Sequence, residues 1–111
     1  MLKKDLQEYL TEKGQSPFND WLEGLRDLRA RARVRTRLDR VSLGNPGDYA
    51  SVGEGVFELR IFYGPGYRVY YGLEDDSVML LLLGGTKGTQ QRDIQTAKAY
   101  LANYRRRQND N

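Results

Sequence analysis

The chain has no cysteine and no histidine among its 111 residues, and only three prolines. Without cysteine there are neither disulfide staples nor thiolate metal sites, which suits an intracellular protein. Without histidine both the usual acid–base side chain and the commonest metal ligand are missing. Any chemistry then falls to lysine, arginine, tyrosine or carboxylates, and neither metal nor cofactor is expected. Long apolar runs are missing too. Val78 to Leu83 falls far short of a membrane span, and the opening MLKKDLQEYL mixes charge with apolar residues where a signal peptide carries an apolar core. These absences predict a cytoplasmic protein without membrane contact. The length allows one core, hence a single domain over residues 1–111.

Charge, by contrast, is plentiful. Eighteen lysines and arginines face fifteen carboxylates, a net charge of +3, so the arrangement of charge says more than its total. The most telling arrangement lies in GVFELRIFYGPGYRVYYG, Gly55 to Gly72. Phe57, Leu59 and Ile61 alternate with Val56, Glu58, Arg60 and Phe62, and Gly64-Pro65-Gly66 is a turn, so the stretch reads as a β-hairpin. A two-residue Pro65-Gly66 loop would pair Tyr63 with Arg68 and turn Arg68 toward Leu59 and Ile61. A three-residue loop with Gly66 left-handed pairs Ile61 with Val69, Phe62 with Arg68 and Arg60 with Tyr70. The second is preferred because it separates an apolar face (Phe57, Leu59, Ile61, Val69, Tyr71) from one carrying Glu58, Arg60, Phe62, Arg68 and Tyr70. Two arginines a cross-strand diagonal apart, with aromatics between them, suit a phosphate and a stacked base; the alternative for them is structural ion pairing with Glu58, Glu54 or Asp93.

Before the hairpin, residues from about Lys3 to Glu12 fit a strand or a short helix equally poorly and are read as a strand. Ser16-Pro17 is a helix start, followed by Phe18, Trp21, Leu22 and Leu25 at helical spacing. A second helix, Leu28 to Leu43, sets Ala30, Val34, Leu38 and Val41 on one side, with Arg29, Arg33, Arg37 and Arg40 along a flank that can track a nucleic-acid backbone or meet an acidic protein. Gly44-Asn45-Pro46-Gly47 stops it, and a loop is expected through Gly53. After the hairpin, Glu74-Asp75-Asp76 is a tight turn. Val78 to Leu83 reads as a strand buried on both faces and central in its sheet, ended by Gly84-Gly85. Lys87 follows in a loop, and Thr89 caps a last helix with Ile94, Ala97, Leu101 and Tyr104 in register. The end, residues 105–111, reads as a frayed basic tail.

The order strand, two helices, antiparallel hairpin, central strand, helix, together with GVFELRI, GPGYRVYY, LLLGGTKGTQ and RDIQTAKAYL, resembles the RelE/ParE superfamily of toxins from type II toxin–antitoxin systems. Within it the likeness is to the HigB-like, phage-associated branch of addiction module killer proteins. The resemblance implies an α+β fold: a small antiparallel sheet with two N-terminal helices on one face and a C-terminal helix. It further implies a metal-independent mRNA interferase that enters the ribosomal A site and is neutralised by a cognate antitoxin, a HigA-like helix-turn-helix protein that contacts operator DNA as the toxin–antitoxin complex.

Carried over by motif, Arg60 of ELR and Arg68 of GYR bind the scissile phosphate, Lys87 of GGTK adds a third cation, and Tyr70 stacks on a base or shares a proton. Arg33, Arg37 and Arg40 of the second helix, with Phe62, are the candidates for RNA and ribosome binding. Several HigB-type relatives use histidines in the active site where this chain has none. The tyrosine that some relatives carry near the C-terminus corresponds to Tyr100 or Tyr104. The same scaffold also hosts ParE-like inhibitors of DNA gyrase, and a chain that has lost activity would remain an antitoxin-binding co-repressor.

Overall fold

Helical and alternating stretches of the sequence separate into helices and strands in the computed structural model, which describes residues 3–110. In chain order these are β1 (Asp5–Glu8), α1 (Pro17–Gly24), α2 (Leu28–Ser42), β2 (Tyr49–Gly53), β3 (Val56–Ile61), β4 (Tyr67–Glu74), β5 (Val78–Thr86), a 3-10 turn at Lys87–Thr89, and α3 (Gln90–Asn109). Caps explain where the first helices start. Ser16 accepts from the Asn19 amide at 3.1 Å with Pro17 in the first turn, and the Asp27 carboxylate accepts from the amides of Arg29 and Ala30 at 2.9 and 3.2 Å. Along α2 the stripe Ala30, Val34, Leu38 and Val41 is buried throughout.

The sheet has the order β1-β5-β4-β3-β2. It is mixed, which corrects the expectation of a purely antiparallel sheet: β1 runs parallel to β5, and the other pairs are antiparallel. A parallel pair needs a long crossover, and the chain between β1 and β5 supplies it. Backbone hydrogen bonds from Asp5 to Ser77 (2.7 Å) and from Tyr9 to Leu81 (2.9 Å) fasten β1 at both ends. β5 is an interior strand, although β4 is the middle one. The segment expected as a loop contains β2, an edge strand joined to β3 with an irregularity between Ser51 and Gly53. Its residues alternate only between exposed and half-buried, too faint a pattern to read from sequence.

α1 and α2 cover one face, where Phe18, Leu22, Val34, Leu59, Val69 and Leu81 belong to one core. α3 covers the other, over Tyr9, Val56, Leu80 and Leu82, with Ala97 and Leu101 from the helix itself. β5 therefore sends alternate residues into two cores, as its unbroken apolar run requires. The Gly84-Gly85 pair does not end it. A β-carbon on Gly84 would overlap the Trp21 ring and one on Gly85 the Asp93 carboxylate, so the glycines admit close packing on opposite faces of a continuing strand. At the C-terminus α3 stays helical through Asn109, where a frayed tail from Arg105 was expected; Arg106 and Arg107 sit in its last turn, favourable for the helix dipole. Asn111 lies outside the described residues. Among those residues no helix is long and apolar enough to cross a membrane.

The hairpin register differs from the expected one by two residues. Ile61 pairs with Tyr67, Leu59 with Val69 and Arg60 with Arg68. The connection is five residues, 62–66, closed by the Gly66 amide on the Tyr63 carbonyl at 3.1 Å, with Gly66 left-handed at φ 82°. The longer loop lets Tyr67 join the apolar face, buried against Trp21 at a ring separation of 6.3 Å. A shift of two preserves side-chain parity, so both predicted faces survive. Only Phe62 leaves its face, because it lies beyond the strand.

Leu81 is buried in the α1/α2 core, so Leu81→Ala is expected to lower unfolding free energy by about 2–5 kcal/mol. An unchanged denaturation midpoint would contradict the packing described for β5.

Candidate functional site

Pairing Arg60 with Arg68 across β3 and β4 sets two cations side by side, an arrangement that repels unless a counter-charge lies close. Glu58 is that counter-charge, two residues before Arg60 on the same strand face. Its carboxylate is 0% exposed. One oxygen accepts from Arg60 Nε at 2.9 Å; the other lies 3.5 Å from Arg68 Nε and accepts from Gln90 Nε2 at 2.8 Å. The hydrogen bond from Arg60 to Glu58 is the main cause raising the Arg60 pKa above the ordinary guanidinium value. Arg60 keeps 36% of its side chain exposed and Arg68 only 10%. Arg68 Nε is shut from solvent and makes no well-formed hydrogen bond.

The third cation is tied to the same turn. The Lys87 amide donates to the Gly66 carbonyl at 2.8 Å, and Arg68 Nη1 lies 3.5 Å from that oxygen. A β-carbon on Gly66 would touch both Arg68 Nη1 and Lys87 Cβ at 3.5 Å, so both side chains flank this glycine. Lys87 is exposed, and a cavity of about 410 Å³ opens beside it toward Arg92. Asp93 stands behind: it is buried, packs against Gly85 and accepts from Thr89 Oγ1 at 2.5 Å. Thr89 thus serves Asp93 and makes no side-chain cap on α3.

Tyr70, expected to stack on a base or share a proton, pairs directly with Glu58 across the strands and is buried completely. Burial first, then the nearby Glu58 charge, raise its hydroxyl well above the ordinary tyrosine range. It is a neutral floor beneath the arginines and offers no face to a base. Phe62, 80% exposed in the hairpin connection, does.

The arginines of α2 divide. Arg37 is a clamp: its Nε donates to the Pro46 carbonyl (2.7 Å), Nη1 to the Arg60 carbonyl (2.6 Å) and Nη2 to the Asp48 carbonyl (2.6 Å). Desolvation is the main cause lowering its pKa. That places Arg37 in the support of β3, with its forked donors consumed. Arg33 lies over the Tyr63 ring at 4.5 Å, and Arg33, Arg40 and Phe62 border a groove of about 310 Å³ between α2 and the end of β3. Arg60 and Arg68 are therefore cross-strand partners and Lys87 flanks the turn beside Arg68, while Arg33, Arg37, Arg40 and Phe62 line the adjoining groove.

Sequence reading offered Glu58 only as an ion-pair partner of the hairpin arginines, which it is, and did not name Gln90. Glu58 was visible as the one carboxylate on the basic strand face; Gln90 carries no local signal, because only the start of α3 brings it there. Among the described residues no group of three or more metal-binding side chains is assembled. The site can therefore offer fixed positive charge, backed by buried carboxylates, to an anionic group.

An uncharacterized protein of Haemophilus influenzae is 48% identical over 81 residues, which make up 73% of this chain and 82% of that protein. No protein-family model matches the chain.

Because three main-chain carbonyls depend on one planar fork, Arg37→Lys is expected to destabilise the fold by about 1–3 kcal/mol, since an ammonium cannot reach all three in plane. Urea unfolding monitored by Trp21 fluorescence measures it. A variant as stable as the parent shows that the clamp contributes nothing.

Proposed function

The chain belongs to one family with that Haemophilus influenzae protein, and from the geometry of its basic face we propose that it is the toxin of a type II toxin–antitoxin system. On this reading it has the RelE/ParE fold in its HigB-like form and acts as a metal-independent mRNA interferase on the ribosome. The observation that carries the proposal is the side-by-side pair of Arg60 and Arg68 with Lys87 at its rim.

In-line attack of an RNA 2′-hydroxyl on the adjacent phosphorus, its proton passing to solvent water, forms the 2′-O–P bond and breaks the bond to the 5′-oxygen, leaving a 2′,3′-cyclic phosphate and a 5′-hydroxyl. Negative charge grows on the non-bridging and leaving oxygens, where fixed cations are most effective. Arg60 and Arg68 meet the non-bridging oxygens, and Lys87, exposed and mobile on its stem, protonates the leaving oxygen. Phe62 stacks on a neighbouring base, and Arg33 and Arg40 hold the flanking backbone. A helix-turn-helix antitoxin covers this surface in the cytoplasm and carries the complex to operator DNA. The small exposure of Arg68, 10% of its side chain, favours a second reading, in which the face binds without chemistry as a gyrase inhibitor or co-repressor.

Cleavage of a defined mRNA on programmed ribosomes separates the two. Arg68→Ala is expected to remain folded by circular dichroism and to lose about 10²- to 10³-fold in rate, as when one donor to a developing oxyanion is removed. Arg35→Ala, which removes an exposed ion pair with Glu23, is expected to cleave like the parent. A folded Arg68→Ala protein that cuts at the parent rate removes the hairpin from the mechanism. Intact transcripts with failing supercoiling indicate gyrase.

A further inference from the structure

We propose that Glu58 is a positioning residue whose buried carboxylate fixes the spacing of the Arg60 and Arg68 guanidinium groups, so that their terminal nitrogens meet two oxygens of one phosphodiester. The proposal rests on the reading of this face as a phosphodiester site. At 0% exposure the carboxylate cannot touch a substrate, so it acts only through its neighbours.

The geometry is specific in which atoms it uses. Glu58 takes both arginines at Nε, Arg60 at 2.9 Å and Arg68 at 3.5 Å, one on each carboxylate oxygen. Arg60 is thereby held along one edge by a hydrogen bond and Arg68 is drawn to the other carboxylate oxygen by charge alone, which leaves the terminal nitrogens for other acceptors. Those contacts are loose: Arg60 Nη1 is 3.8 Å from the Asp48 carboxylate and Arg68 Nη1 is 3.5 Å from the Gly66 carbonyl. Gln90 donates to Glu58 Oε2 at 2.8 Å from the start of α3, which keeps the carboxylate still when an anion draws on the arginines.

Stability alone is a poor reason for this arrangement. A buried ion network seldom outperforms apolar residues of like volume, whereas two flexible cations directly opposite one another would splay apart without a charge between them. A fixed pair is what a developing phosphate charge rewards.

The test has two arms. In the parent protein, NMR of arginine side chains should show the Arg60 Nε–H proton, the one hydrogen-bonded to Glu58, exchanging with water more slowly than that of exposed Arg29. Exchange as fast as Arg29 overturns the proposal, and this arm needs neither a variant that folds nor RNA cleavage. In the second arm, Glu58→Gln should lower kcat on programmed ribosomes about 10- to 100-fold with KM little changed, as when outer partners that orient metal ligands are removed. Glu58→Asp should recover part of the loss. In an Arg60→Ala background Glu58→Gln should cost far less, because the pair whose spacing it fixes no longer exists. Equal losses in both backgrounds mean that Glu58 serves folding alone and overturn the proposal. If the parent cuts no RNA, the proposed function fails, and the exchange measurement still decides the role of Glu58.

Discussion

A carboxylate under two opposed arginines is the constraint around which this molecule closes. The β3–β4 ladder that packs Leu59, Val69 and Tyr71, with half-buried Phe57, into one core forces Arg60 against Arg68 on the other side, because side chains alternate strictly along a strand. The apolar face cannot be had without the charged one. Glu58 makes the register tolerable, Tyr70 seals it from below as an un-ionised phenol, and Gln90 carries the tie to α3. Core packing and the basic face are two sides of one pairing.

Glycine sets how closely the layers meet. Gly84 and Gly85 point to opposite faces of β5, one toward the Trp21 ring and the other toward Asp93. α1 lies against the sheet at the first, and α3 begins against it at the second. With α3 seated there, Gln90 reaches Glu58 and Lys87 stays at the hairpin turn. Two missing methyl groups thus position both a core aromatic and the rim of the site.

The arginine-rich second helix has several uses that its sequence does not distinguish. Arg31 donates to the carbonyls of Glu23 and Leu25 and binds α2 to the end of α1. Arg37 joins α2 to the loop before β2 and to the Arg60 carbonyl. The planar fork suits such work, since several acceptors in one plane are satisfied by a single side chain whose charge persists when desolvated. Arg33 and Arg40 border, together with Arg37, the groove beside Phe62 at the end of β3.

Periodicity and punctuation by themselves determined the helices, the buried strand and the two faces of the hairpin. Ser16-Pro17 and the Ala30–Val41 stripe are local signals, and face parity survives a register error of two because the strand period is two. Arg60, Arg68 and Lys87 could be proposed as candidates from motif, and the shared face of the two arginines from parity. Tertiary structure decided what depends on distance along the chain: the parallel docking of β1 on β5, the pairing of β2, and the passage of β5 through its glycines. It also decided that Tyr70 is buried, that Arg37 is consumed by carbonyls and that Glu58 lies against both arginines. Each of these turns on which residues far apart in sequence compete for the same space and the same donors, and a one-dimensional pattern carries no record of that competition.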